Sequence, residues 1–277
     1  MKKHLSTIFL ILVFLAGVSL LLYPTVSDYW NSMHASAAVT SYAEQVSSLD
    51  EAKYDEMLSQ AREYNAALPG KENPYFLSDE EKARYQSLLN LDGTGIMAYI
   101  EIPTIDLSLP IYHGTDDAVL QVAVGHLDWT SMPVGGKSTH CVLSGHRGLP
   151  SAKLFTNLDK LVVGDTFVIR TLDEVLTYEV TQILIVEPTD TEALTIQEGE
   201  DLCTLVTCTP YGINTHRLLV CGRRTDNAPE AKTIRVVSDA VRVEPLIVAP
   251  IVAAPMLLLS VILLLSGGGK RRDKDDE

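Results

Sequence analysis

Cysteine is scarce, with four residues in a chain of 277. Scattered at positions 141, 203, 208 and 221, they are too few to staple a small disulfide domain, so a hydrophobic core has to hold the fold. Positive charge is in deficit as well: 22 Lys and Arg face 36 Asp and Glu, a formal net charge of −14. Lys2 and Lys3 contribute two positive charges, and the four basic and four acidic residues from Lys270 onward cancel, which leaves about −16 on the stretch between. Such a surface repels phosphate backbones and excludes nucleic acid as a partner. No internal repeat, no low-complexity tract and no cluster spaced like a metal-ligand set stands out, which argues against a solenoid and against a metalloenzyme.

Two long apolar runs are present. Residues 5–23, LSTIFLILVFLAGVSLLLY, carry no charge and have about the length of a membrane-spanning helix, which Pro24 is expected to end. A signal peptide is the competing reading, but the nearest small-residue site, Ala35-Ser36-Ala37, lies too far downstream for cleavage. Residues 246–266 form a second uncharged run, followed directly by GGGKRRDK. Basic flanks stay inside, so the expected topology has both termini cytoplasmic, two membrane anchors and the middle of the chain outside. The segments are then a cytoplasmic N-terminus 1–4, an anchor 5–23, a helical region 24–95, a strand-rich domain 96–224, a linker 225–245, a transmembrane helix 246–266 and a cytoplasmic tail 267–277.

Within 28–90, apolar residues recur at helical spacing in VTSYAEQVSSLDEAKYDEMLSQAREYNAAL, predicting one or two helices that stop at LPGKENPYF. Ser78 followed by Glu81 is a capping box, so a further helix should start there. An inert stalk is one reading of this region. From Ile96 the pattern becomes strands: IMAYIEIP, LSLPIYHG, HCVLSGHR, DTFVIRTL, EVLTYEVTQILIVEP, CTLVTCTP and RLLVCGRR. TDDAVLQVAVG and SAKLFTNLDKL read as short helices between them. The expected fold is mainly β, a closed barrel with short helices, preceded by an α-helical region and flanked by two transmembrane helices.

Cys208 ends an apolar, β-branched strand just before the polar turn at Pro210 and Gly212, where function is commonly displayed. Cys141, Cys203 and Cys221 lie in or beside apolar strands and read as buried thiols or disulfide partners; a Cys203–Cys221 bridge is permitted if their strands form a hairpin. The candidate bases are His34, His113, His126, His140, His146 and His216, and His146 sits at a strand end between Gly145 and Gly148. Arg217 begins the strand returning from the Cys208 turn. A thiol, a base and a fixed cation are what acyl transfer requires.

SGHRGLPSAKLF followed by TLVTCTPYGINTHRLLV resembles the signature pair of sortases, specifically class C, the pilin-polymerising transpeptidases of Gram-positive bacteria. The likeness extends through MAYIEIPTIDLSLPIYHGT, GHLDWTSMPVGGKSTH and LVVGDTFVI, over residues 96–224. It implies a sortase β-barrel, a catalytic set of His146, Cys208 and Arg217, and no metal or cofactor. It also implies substrates among pilins or other surface proteins bearing an LPxTG-like motif, and a catalytic domain outside the cell membrane. Class C members carry an Asp-Pro-aromatic lid; the matching residues here are Asn73, Pro74 and Tyr75, within 70–77, with Glu72 adjacent to the missing carboxylate. The C-terminal tail resembles a cell-wall sorting signal, but no LPxTG-type pentapeptide precedes it. Three alternatives stay open: a housekeeping-type sortase using peptidoglycan as acceptor, a cysteine endopeptidase, and a membrane-tethered adhesion module with Cys208 as core filling.

Overall fold

A computed structural model of the chain describes residues 2–71, 75–91 and 93–227. The second apolar run, 246–266, and its flanking linker and tail lie outside the described residues. The chain divides into two units, one comprising Met1–Asp28 and Ser238–Glu277 and the other Tyr29–Val237. In the first, the apolar run is helical, and its helix is long and apolar enough to cross a membrane.

That helix, α1, is Lys2–Ser47, and it passes through Pro24 rather than ending there. A proline in a helix interior costs about 3 kcal/mol through one lost hydrogen bond and a ring clash. Here the helix continues on both sides of Pro24 and its C-terminal half is held by burial of Ala35, Val39 and Tyr42, so the expected stop at Pro24 is corrected to a helix that runs on to Ser47.

In the second unit, the helices are part of the core. Ala35, Val39 and Tyr42 recur every three or four residues and are buried on one face of α1. Tyr42 donates to the Met97 carbonyl at 2.9 Å and accepts from the Leu172 amide at 2.8 Å. The second helix, α2 (Glu51–Ala67), is capped by Asp50, whose side chain accepts from the Lys53 amide. It buries Leu58, Ala61, Tyr64 and Asn65. The Asn65 amide group exchanges two hydrogen bonds with the Met132 backbone, and the Tyr64 hydroxyl donates to the Asp128 carbonyl. The third helix, α3 (Asp79–Ser87), starts at the capping box of Ser78 and Glu81 and buries Tyr85, whose hydroxyl meets His126 Nδ1 at 3.0 Å. Burying a large apolar side chain such as Val39 or Leu58 stabilises the unit by about 1.5–3 kcal/mol. The inert-stalk reading of 28–90 therefore fails: these side chains are built into the barrel.

Eight strands close the barrel: β1 (Ile96–Ile102), β2 (Leu107–His113), β3 (Val124–His126), β4 (Thr139–Ser144), β5 (Thr166–Thr171), β6 (Glu174–Val186), β7 (Asp201–Thr209) and β8 (His216–Arg224). Their order around the barrel is β1-β2-β3-β4-β7-β8-β6-β5. β2 pairs β3 and β4 pairs β7 in parallel; every other neighbour is antiparallel. The stretch expected as one short helix, TDDAVLQVAVG, is split. Asp117–Leu120 forms a four-residue helix, α4, and the remainder runs into β3. Gly125 lets β3 lie close to the chain after β2, since a Cβ there would lie 2.3 Å from the Gly114 carbonyl oxygen, an approach that only glycine permits. SAKLFTNLDKL forms a 3-10 segment, Leu154–Lys160, kinked at Phe155.

Candidate active site

One parallel and one antiparallel pairing bring three chain ends to the same edge of the barrel. β4 and β7 run in the same direction, so both finish there, whereas β8 runs back and starts there. The β4–β7 ladder ends with Ser144 opposite Val206, and the Gly145 amide then donates to the Val206 carbonyl at 3.1 Å. His146 is the next residue of that chain, and Cys208 lies two residues beyond Val206 on the neighbouring strand. On the other side of β7, Cys208 is the direct partner of Arg217. All three residues are half-buried.

Strand alternation decides which face they use. Cys141, Leu143, Cys203, Leu205, Leu218 and Val220 belong to the barrel interior. Val142, Val206 and Leu219, on the opposite parity, form a separate apolar cluster on the outer face with Trp129, Ala193 and Leu194 packed against or within it. Cys208 and Arg217 share the parity of Val206 and Leu219. The outer face is thus an apolar floor with the thiol and guanidinium at its end, walled by the β3–β4 loop through Trp129 and by the β6–β7 loop through Leu194.

The segment 145–148 is fixed from several sides. The His146 carbonyl accepts from the Phe155 amide at 3.1 Å, and the Gly148 amide donates to Thr156 Oγ1 at 3.1 Å. A Cβ at Gly145 would lie 2.7 Å from the Phe155 ring, so the ring occupies the space a side chain would need. The Arg217 guanidinium donates to the His216 and Asn214 carbonyls at 3.2 and 3.4 Å, which holds it at the mouth of the β7–β8 turn.

The other candidate bases have structural partners. His126 and His140 are buried, bonded to the Ser131 carbonyl and to Thr204 with the Thr195 carbonyl, respectively. Burial lowers the affinity of His140 for a proton, and it does the same at His113, whose ring nitrogens meet the Gly95 and Leu88 carbonyls. His34 bonds the Trp30 carbonyl, and His216 pairs with Glu187 at 3.2 Å. All four cysteines are free. Cys203 lies opposite Gly222, one residue off Cys221, and the two thiols face opposite sides of the sheet, so the permitted Cys203–Cys221 bridge is absent. The partner of Cys203 in the interior is Cys141, across the parallel pair. Burial pushes the Cys203 thiol well above its ordinary value and raises that of Cys221. Among the described residues, no group of three or more His, Cys, Asp or Glu side chains is placed to hold a metal ion.

A model of the sortase domain matches residues 100–225. Sortase C1 of Streptococcus agalactiae is 48% identical, with a TM-score of 0.68 over 69% of this chain and 100% of that one. The chain belongs to the sortase family. Sortase C of Streptococcus pneumoniae, whose crystal structure is described as bearing on catalysis and pilin substrate specificity, is 45% identical over 70% of this chain and 99% of that one, with a TM-score of 0.63. Sortase D of Bacillus subtilis is 33% identical over 128 residues, 45% of this chain. The alignment spans 62% of that curated relative's length, less than two thirds.

Of the lid residues expected from the sequence, Asn73 and Pro74 lie outside the described residues, as does Glu72. Tyr75 is described and does two things. Its ring packs edge-on against Trp129, with centroids 4.8 Å apart, and its hydroxyl meets Thr191 Oγ1 at 2.9 Å. Tyr75 thereby joins the two walls of the floor that carries Cys208. Trp129 and Thr191 were not singled out by sequence reasoning, because nothing local in their segments marks them. Arg147 was also passed over, although its position beside His146 is a signal.

Proposed function

We propose that this sortase-family chain is a cysteine transpeptidase that joins pilin subunits, with Cys208 as nucleophile, His146 as general acid and base, and Arg217 as oxyanion donor. The observation that carries this reading is the Cys208–Arg217 cross-strand pair with the His146 segment alongside, at the end of an exterior apolar floor. The sortase C relatives support the pilin assignment.

An LPxTG-like motif lies along the floor, and the Cys208 thiolate attacks the carbonyl carbon of its threonine. The carbonyl oxygen becomes an oxyanion faced by the Arg217 guanidinium, whose planar fork of donors suits that position. Collapse breaks the threonine–glycine bond, protonated His146 gives its proton to the leaving glycine amine, and a thioester remains on Cys208. A lysine amine of a second pilin then attacks the thioester, His146 takes the proton, and the thiolate leaves as an isopeptide bond forms. The energy of the broken amide is conserved in the thioester, so no nucleotide is consumed.

The same reading places the barrel, 96–224, outside the cell membrane with both termini cytoplasmic. The apolar half of α1 is one anchor and 246–266 the other. Residues 70–77 act as a lid on the floor. Tyr75 is its latch on Trp129 and Thr191, and Asn73 takes the sequence position at which class C members carry the lid aspartate.

The test is incubation of the full chain in detergent with an LPxTG-like peptide, followed by intact mass spectrometry. The expected result is a thioacyl adduct that vanishes in Cys208→Ala, whose fold is retained. Addition of a lysine-bearing pilin fragment should give an isopeptide. An adduct that survives Cys208→Ala overturns the nucleophile. Transfer only to a peptidoglycan amine, or only to water, replaces pilin polymerisation with wall anchoring or proteolysis.

A further inference from the structure

The β4–β7 ladder stops before it reaches the residues that would react. β7 runs on to Thr209 beside β8, while the chain after Ser144 leaves its strand. Its last direct links to β7 are the Gly145 amide on the Val206 carbonyl and Thr207 Oγ1 on the Gly145 carbonyl at 2.7 Å, so past Gly145 side chains have to set the distance from His146 to Cys208. The side chain next to His146 is Arg147, and it is 8% exposed. One terminal nitrogen, Nη2, forms an ion pair with Asp159. The other, Nη1, donates to Thr209 Oγ1 at 3.3 Å, and Thr209 is the residue next to Cys208. The guanidinium carbon lies 5.8 Å from the centre of the Tyr211 ring, two residues farther along the same turn.

Tyr211 in turn lies against Gly148, where a Cβ would be 3.1 Å from the ring and where φ is +77°. The His146 turn and the Cys208 turn are therefore fastened together through side chains, with Arg147 in the middle and Asp159 anchoring it to the 3-10 segment. Arg147 Nε is buried with no hydrogen-bond partner. A buried donor without a partner destabilises a protein, and a buried guanidinium needs compensation, so this group is not there for stability alone.

We propose that Arg147 is the positioning residue of the thiol–imidazole pair, holding the backbone after His146 and the backbone after Cys208 at a fixed separation. It does not touch the reacting atoms, since both terminal nitrogens are committed elsewhere. Two partners in different directions and a planar face on Tyr211 require the fork of an arginine; a lysine ammonium offers charge without that geometry. The inference rests on the pairing of His146 with Cys208 proposed above.

Three variants test it in the full chain: Arg147→Lys, Thr209→Val and Thr209→Ser. The readouts are kcat and KM for thioester formation on an LPxTG-like peptide, the pH–rate profile of that step, and the melting temperature. Arg147→Lys should lower kcat by about 10- to 100-fold with KM within about 3-fold, because a displacement on the order of 1 Å between reacting groups has that effect. Its pH–rate profile should be displaced from that of the parent, a readout that a loss of stability alone would not move. Thr209→Val, which loses only the acceptor, should show a smaller fall in kcat that Thr209→Ser largely restores. A pH–rate profile in Arg147→Lys that superimposes on that of the parent, with kcat unchanged or reduced only in step with stability, overturns the proposal. If Arg147→Lys fails to fold, the Val and Ser pair at position 209 decides, and equal kcat for the two overturns it. Absence of any thioester in the parent chain is a different outcome, because it refutes the transpeptidase reading itself.

Discussion

Substitution of Tyr75 provides a quantitative test of whether residues 70–77 cover the site. The hydroxyl meets Thr191 Oγ1 at 2.9 Å at an exposed position, so this neutral hydrogen bond contributes about 0.5 kcal/mol, the low end of the usual range. The ring packs edge-on against Trp129 at 4.8 Å, an arrangement that contributes about 1 kcal/mol. Tyr75→Phe should therefore shift the closed-to-open equilibrium by about 2-fold, and Tyr75→Ala, which loses both contacts, by about 10-fold. If the closed form predominates, a thiol reagent reaches Cys208 only through the open form, so the labelling rate should rise by these same factors until the lid is mostly open. The assay is the rate of Cys208 labelling by a small charged thiol reagent, followed by mass spectrometry of proteolytic peptides so that the other three cysteines are scored separately. Thr191→Val should match Tyr75→Phe, and the double variant should add nothing to either, because both remove the same bond. Equal labelling rates for the parent and Tyr75→Ala would refute the lid.

Features fixed by neighbouring residues were legible in the sequence. The capping box at Ser78 and Glu81 forms as written because its two hydrogen bonds join residues three apart. The hairpin of β7 and β8 sets its own register through a short turn, so the Cys208–Arg217 pair could be anticipated. The Cys141–Cys203 juxtaposition could not, because the parallel β4–β7 pair joins segments separated by a long crossover and no local pattern marks the partner. The place of Arg147 beside His146 was a signal, but its role was hidden for the same reason: it depends on Asp159 and Thr209, which converge on it only once β4 and β7 lie side by side. The packing of 28–90 onto the barrel was obscured by its polar composition. Beside the apolar contacts of residues such as Leu58 and Ala61, the attachment relies on a few tyrosines and Asn65, whose hydroxyl and amide groups reach barrel backbone that an alternation pattern does not reveal. Pro24 misled because a single strong breaker was weighed without the long helical stretches on both sides of it.

Arg217→Lys should lower kcat for thioester formation by about 100- to 1,000-fold, the loss typical of an oxyanion donor, and near-parental kinetics would remove Arg217 from that role. Gly145→Ala should lower the melting temperature, since its Cβ would lie 2.7 Å from the Phe155 ring and overpacking of that kind costs about 1–3 kcal/mol; an unchanged melt would mean that the His146 turn yields easily. A tag placed after Glu277 should survive protease shaving of intact cells while epitopes in the barrel are lost, and digestion of the tag would refute the second anchor. Tyr42→Phe separates a helix built into the domain from a stalk attached to it. Its hydroxyl donates to the Met97 carbonyl and accepts from the Leu172 amide, both buried, so its loss leaves two backbone groups without a partner for almost no change in volume. That costs about 1–3 kcal/mol, which should appear as a fall of several degrees in a thermal melt. Cys208 acylation, measured well below the melt, should stay within about 2-fold, because none of the atoms involved reaches the outer floor. A melt identical to the parent's would show that the two hydrogen bonds of the Tyr42 hydroxyl contribute nothing to stability.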